Sequence, residues 1–451
     1  MSNIAPIPYA VRSVRAAGLL LFFMFAAARP AFSAPDGPLS RISDDSALRR
    51  SLISTWFNEI PARVLAARPF LHTLPGGDRV EVRTVDQGAE FTIVLAREYN
   101  ASGDFPGWAQ GSFALTRSRA TGARVRIRIF PRSDAAVFVQ LRPEAGGKSL
   151  LDVVVYDAYI VQSRRVPLEF ERLLQIPVEE IYRAAGNAFP RRYFEPDVDR
   201  YRDVRALVTS VRGGLPGLVF REDGAIDSEG NYVFIKDMRP QPGRGGLNCS
   251  GFAKWFVDGL LRPLTGARLS IEPLKAAFGE RGSEFTDPWE AIRDPFFGLD
   301  WTRNLAARAN GALRSAAFGT VEEFEVRAAP FSALITRNSR GIPTGNRSYP
   351  GFLLNAGFGI EGIEALLYTL AIDEPGRVYL ASVSQEMDPA PRMRQHFHVA
   401  VLIPYFDEYG RFTVTVFESA EETSFARFKT RYGAGTCVNL SRIPVEAAFT
   451  P

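Results

Sequence analysis

The stretch Gly245-Gly246-Leu247-Asn248-Cys249-Ser250-Gly251-Phe252, read with His396-Phe397-His398-Val399-Ala400-Val401-Leu402-Ile403 downstream, organises this 451-residue chain. Cys249, Phe252, Phe256 and Leu260 recur at helical spacing, so the sequence predicts an apolar helix over Cys249 to Leu261 that begins on a cysteine, directly after a glycine-rich loop. The first N–H groups of a helix have no acceptor within it, and the helix dipole adds positive potential at that end. A thiolate is an anion, so this position lowers the thiol pKa and populates the nucleophile at neutral pH. The same N–H groups are placed to stabilise an oxyanion on an attacked carbonyl. Gly245, Gly246 and Gly251 are expected to let a substrate backbone approach closely.

A cysteine nucleophile needs a base within hydrogen-bond reach and a group that orients the base. His396 and His398 open a run rich in β-branched residues, and regular strand alternation puts both imidazoles on one face, with His398 nearer the buried run. The next strand-like run, Phe412 to Ser419, ends at Glu418. If the two runs form a hairpin across Pro404 to Arg411, Glu418 lies beside the start of the histidine strand and can fix the imidazole's tautomer and charge. Cys249, His398 and Glu418 are therefore the candidate catalytic residues, with Asn248, Ser250 and His396 in support. Two readings compete. The His-x-His pair with Glu418 and Cys249 is a conceivable Zn²⁺ ligand set, although no further ligand cluster accompanies it and no metal or cofactor is expected. The histidines otherwise simply end a strand.

Asn248-Cys249-Ser250-Gly251-Phe252 at a helix start, then Glu374-Pro375-Gly376-Arg377-Val378-Tyr379 entering a strand, then His398-Val399-Ala400-Val401 in the next, resembles the NlpC-type bacterial cell-wall cysteine peptidases of the papain-like superfamily. The resemblance covers about residues 245–262 and 372–445. It implies a papain-like fold with Cys249 as nucleophile, His398 as base and Glu418 in the third polar position. It also implies hydrolysis of amide bonds in peptidoglycan stem peptides, often beside the D-glutamyl residue. The family usually has Asp before the cysteine, where this chain has Asn248, and more often His than Glu in the third position. A non-catalytic papain-like envelope binding or scaffold protein, or an amide or acyl transferase, are the alternatives.

Outward from this core, Arg377 to Val383, Phe412 to Phe417 and Val438 to Ile443 read as further strands, and the residues between the cysteine helix and the Pro-Gly strand, about 262–372, as a large helical insertion. Residues 186–248 read as irregular, and the domain boundary is set near 190. Before it, six β-branched runs between residues 79 and 163 predict an antiparallel sheet or sandwich, a β-rich, sandwich-like accessory domain over 34–190. An amphipathic helix is expected over Ser43 to Ala67, and a second over Pro167 to Ala185 interrupted by Pro177. The fold class is α+β, with the papain-like domain over 191–451.

Residues 1–33 have the layout of a secretory signal peptide: Arg12 and Arg15, an apolar run from Ala16 to Ala28, and small residues at the end. That run is shorter than the roughly 20 residues a spanning helix needs, so no membrane span is expected in a mature chain placed in the periplasm or outside the cell. Residues 1–33 carry three arginines and no acidic residue, so without them the formal charge falls from +4 to +1. The basic balance thus gives no support to a nucleic-acid partner; the expected partner is peptidoglycan or another peptide substrate. Two cysteines, Cys249 and Cys437, are too few for a disulfide scaffold, and whether they pair is left open.

Overall fold

The computed structural model describes residues 36–100, 102–279, 294–313, 319–339, 341–386, 394–445 and 448–451; the expected signal peptide lies outside these residues. Short turns build the first layer. β1 (Phe70–Thr73), β2 (Arg79–Asp86), β3 (Glu90–Arg97), β4 (Phe113–Ser118), β5 (Arg124–Ile129), β6 (Val137–Glu144), β7 (Lys148–Val155) and β8 (Ala158–Val166) follow one another as antiparallel neighbours. The turn Gly146-Gly147 takes positive φ at both residues, and so does Tyr156-Asp157, which separates β7 from β8. Positive φ at both turn residues matches the twist of a tight hairpin. Because each of these strands pairs with its sequence neighbour, the β-rich half takes the form of one antiparallel sheet.

One face of this sheet, including Val82, Ile93, Leu115, Ile127, Val139 and Val153, is buried against α1 (Ser46–Ser51), α2 (Pro61–Ala66), α3 (Phe170–Leu173) and α4 (Val178–Ala185). The helix expected over Ser43 to Ala67 is broken. It passes through one π turn over Ile53–Phe57, and Pro61 starts α2 where its missing N–H costs no helical bond. The stretch 186–248 is not irregular throughout, since α5 (Arg202–Gly214) buries Val204, Leu207, Val208 and Val211. β9 (Gly224–Ile226) and β10 (Tyr232–Phe234) then pair as a short hairpin.

The second layer begins with α6 (Cys249–Thr265), followed by α7 (Glu272–Lys275), α8 (Phe297–Leu313) and α9 (Val321–Phe324). β11 (Ala333–Arg337) and β12 (Pro343–Ser348) form a hairpin whose Leu334 pairs with Ala158, so they extend the first sheet to ten strands. After β13 (Phe358–Gly359) and α10 (Ile363–Asp373) come β14 (Arg377–Glu386), β15 (Arg394–Phe406), β16 (Phe412–Glu418), β17 (Glu421–Ser424), α11 (Phe425–Tyr432) and β18 (Cys437–Pro444). The second sheet is antiparallel in the order β13-β18-β14-β15-β16-β17. Val399, Val401 and Ile403 of β15 share a core with α6 and α8, whereas Ala400 and Leu402 share one with α10 and α11. The described residues of the segment 262–372 hold strands β11, β12 and β13 as well as helices. The segment supplies α8 and α10 to the faces of the second sheet and one hairpin to the first, because both sheets offer edges and apolar faces that need covering.

The two layers meet at Arg132, 4% exposed beyond the end of β5. Its guanidinium donates to the Phe194 carbonyl at 3.2 Å and to the Gly410 carbonyl, lies 3.6 Å from Asp36 and stacks over Phe406 at 5.1 Å. Gly410 is in the turn between β15 and β16, so this arginine ties the first sheet to the hairpin that bears His398 and Glu418. Replacing it by Met leaves those carbonyls without their donor. R132M should lose about 2–3 kcal/mol of stability, read as a lower urea midpoint at unchanged slope.

Candidate active site

The first turn of α6 is held from both sides. Asn248 caps it, its Oδ1 accepting the Gly251 N–H at 2.8 Å while its own N–H donates to the Gly224 carbonyl at 3.0 Å. A Cβ at Gly251 would stand 2.0 Å from the Gly224 oxygen, and one at Gly245 would stand 2.1 Å from Tyr232. These glycines let β9 and β10 cross the helix start, which corrects their expected role: they make room for the chain itself and not for substrate. Gln241 fixes the loop between. Its Nε2 donates to the Val233 and Gly246 carbonyls and its Oε1 accepts the Gly246 N–H. Thus placed, Cys249 is half-buried and its N–H has no acceptor within the helix.

Cys249 and His398 line the same cleft and act on each other electrostatically, the imidazole lowering the thiol and the thiol raising the imidazole. His398 Nε2 donates to Glu418 Oε2 at 2.7 Å, which leaves Nδ1 to face the thiol. Glu418 is 1% exposed, and its other oxygen lies 2.6 Å from Arg431. It reaches His398 because β15 and β16 form the expected hairpin, with Val401 opposite Phe417. Just past it, Ser419 and Ala420 take positive φ and turn the chain into β17.

The charges reinforce one another. Burial alone would push the Cys249 thiol up, but the hydrogen bond and charge of His398, the Val399 N–H and Ser250 outweigh it and hold the thiol below its ordinary value. Burial pulls His398 down, yet its bonds to Cys249 and Glu418 carry it to about 9. Burial raises Glu418, and the partners His398, Arg431 and Thr423 lower it to about 2. A depressed thiol beside a raised imidazole, with a carboxylate behind the ring, favours a thiolate–imidazolium pair.

His396 does something else. Val383 pairs with His398 and Ser384 with His396, so Phe397 is an extra residue in β15. This bulge breaks the alternation, and the two imidazoles do not share a face as expected. His396 is 4% exposed, bonded through Nδ1 to Ser382 Oγ and through Nε2 to the Asn355 carbonyl, both at 2.8 Å. Since a carbonyl only accepts, Nε2 carries the proton; burial, partly offset by that bond, brings the ring to about 4 and keeps it neutral. With both ring nitrogens engaged, His396 offers no lone pair to a metal. Among the described residues, no group of three or more His, Cys, Asp or Glu side chains is arranged as a metal site.

The remaining expectations also find places. Ser250 is 3% exposed; its carbonyl accepts the Trp301 Nε1–H at 2.9 Å, and its side chain helps to lower the Cys249 thiol. Cys437 is buried, and both cysteines are free thiols, so the pairing left open does not occur. Cys249 and His398 line a cleft of about 890 Å³ whose walls carry Phe220, 63% exposed, and Phe397, 41% exposed. Among the described residues no helix is long and apolar enough to cross a membrane. Arg431, Tyr432 and Gln241 carry no local sequence signal, because only the folded chain brings them to the site.

A family model described as a domain of unknown function (DUF8515) matches residues 38–193. That span ends before α5 and contains none of Cys249, His398 and Glu418. No curated protein and no solved structure matches the chain.

The thiolate exists above the depressed Cys249 inflection, and the imidazolium persists until pH rises through about 9. Alkylation of Cys249 by iodoacetamide, followed by peptide mass spectrometry, should show an inflection below the ordinary thiol value of about 8.5. In H398A the inflection should rise, since burial is then opposed only by the Val399 N–H and Ser250. Cys437, buried with its thiol pushed up, should label more slowly throughout.

Proposed function

We propose that this chain is an exported cysteine peptidase or amidase of papain-like type that hydrolyses amide bonds in peptidoglycan stem peptides. The observation that carries the reading is the continuous set Cys249, His398, Glu418 at a helix start, opening on a cleft. The order of the cysteine helix, the Pro-Gly strand β14 and the histidine strand β15 supports the family resemblance, and so do α6 and β15 packed face to face. The signal-peptide layout of residues 1–33 supports export to the periplasm or cell exterior.

In this mechanism the Cys249 thiolate attacks the substrate carbonyl carbon, and the oxygen that becomes negative is met by the backbone N–H of Cys249. The His398 imidazolium gives its Nδ1 proton to the departing amine, so the C–N bond breaks and a thioester to Cys249 remains. The ring is then neutral, with its remaining proton held on Nε2 by Glu418 and a free lone pair on Nδ1. That nitrogen takes a proton from water, hydroxide attacks the thioester, and the acid is released as the thiolate returns. Asn248 contributes as a cap, holding the helix start through Gly251, a task its side-chain oxygen performs without a carboxylate's charge.

C249A should lower release of stem-peptide fragments from purified peptidoglycan by about 10⁴-fold or more, and E418Q by about 10²–10⁴-fold. Release by C249A at the rate of the unaltered protein, measured by chromatography of the soluble products, would sink the assignment.

A further inference from the structure

Thiolate, imidazolium and carboxylate together sum to one negative charge, and they are held where solvent compensates little: Glu418 is 1% exposed and the His398 side chain 14%. Arg431, on the last turn of α11, lies 2.6 Å from Glu418 Oε1, the oxygen His398 does not use. It brings the set to neutrality. Its Nη1 also donates to the Tyr432 hydroxyl at 3.3 Å, and the Tyr432 ring lies 5.9 Å from that of His398 and 5.6 Å from that of Phe397. Two neighbouring residues of one helix thus meet both the carboxylate and the imidazole.

We propose that Arg431 is a positioning residue of this site: it holds Glu418 as the charged, oriented acceptor on which the Cys249–His398 ion pair depends. The inference rests on reading Cys249, His398 and Glu418 as the reactive set. Glu418 is faced by His398 from β15, by Arg431 and Tyr432 from α11, and by Thr423 from β17; Cys249 is faced by His398, Ser250 and the Val399 N–H. Tyr432, pushed up to about 12 chiefly by burial, stays neutral over the working range, so Arg431 is the permanent cation of this group. Without it, burial acts on Glu418 with the imidazolium as its only remaining positive partner, and the carboxyl pKa rises. The imidazolium then loses its counter-charge, its pKa falls, and the thiol inflection climbs, so the pH window of the ion pair narrows from both ends.

The test reads Cys249 alkylation against pH in the full chain, by peptide mass spectrometry, and needs no substrate. R431Q should move the Cys249 inflection up by about one pH unit, which is about tenfold slower labelling on the acid side. R431M, which keeps the aliphatic stem beside Tyr432, should do the same and serves if R431Q folds poorly. R431K, which keeps the charge, should recover most of the labelling rate. A depressed inflection in the unaltered protein that does not move in folded R431Q or R431M overturns the role of Arg431 while leaving the reactive set intact. An ordinary inflection in the unaltered protein overturns the ion pair itself, and Arg431's role with it.

Discussion

The hydrogen bond from His398 Nε2 to Glu418 decides what this molecule can do chemically. It selects the tautomer, leaves Nδ1 toward Cys249 and, together with the thiol, raises the imidazole. Every element around it serves that geometry. The β15–β16 hairpin sets Glu418 level with the histidine strand, α6 delivers Cys249 with unpaired N–H groups beside it, and the bulge at Phe397 aims His398. The same bulge sends His396 the other way, into a satisfied and neutral seat.

Much of this was legible in the sequence because it is local. A 3.6-residue period announces α6, period-two runs announce β14, β15, β16 and β18, and the short span from Pro404 to Arg411 announces the hairpin that joins Glu418 to His398. What escaped has physical reasons. A bulge leaves no period to read, so regular alternation puts on one face two histidines that the folded strand separates. The glycines of the loop take their meaning from Tyr232 and Gly224, residues that reach them only after folding. α5 was hidden because its outward face is built from Arg202, Asp203, Arg205 and Arg212, charges that read as loop. Arg431 comes to Glu418 through a turn at Ser419-Ala420 that has positive φ without glycine, and so left no turn signal.

The architecture was partly legible for the same reason. Helix and strand in antiparallel sheets follow from the runs and their turns, whereas the pairing of β11 with β8 joins residues far apart in sequence and has no local signature. This pairing, with α8 and α10 packed on the second sheet, makes the segment after α6 part of both layers. Arg132 reaches from the first sheet to the turn of the hairpin that carries the site, so the β-rich half bears on the geometry of the reactive half through a physical contact.

The central claim is that Cys249 becomes covalently acylated in the course of breaking an amide bond. Acid-quenching the protein during turnover of purified peptidoglycan fragments, followed by peptide mass spectrometry, tests it most directly. The account predicts an acyl adduct of the substrate's carbonyl half on the peptide containing Cys249, absent in H398A. Product release with no adduct on that peptide, undiminished in C249S, would contradict it.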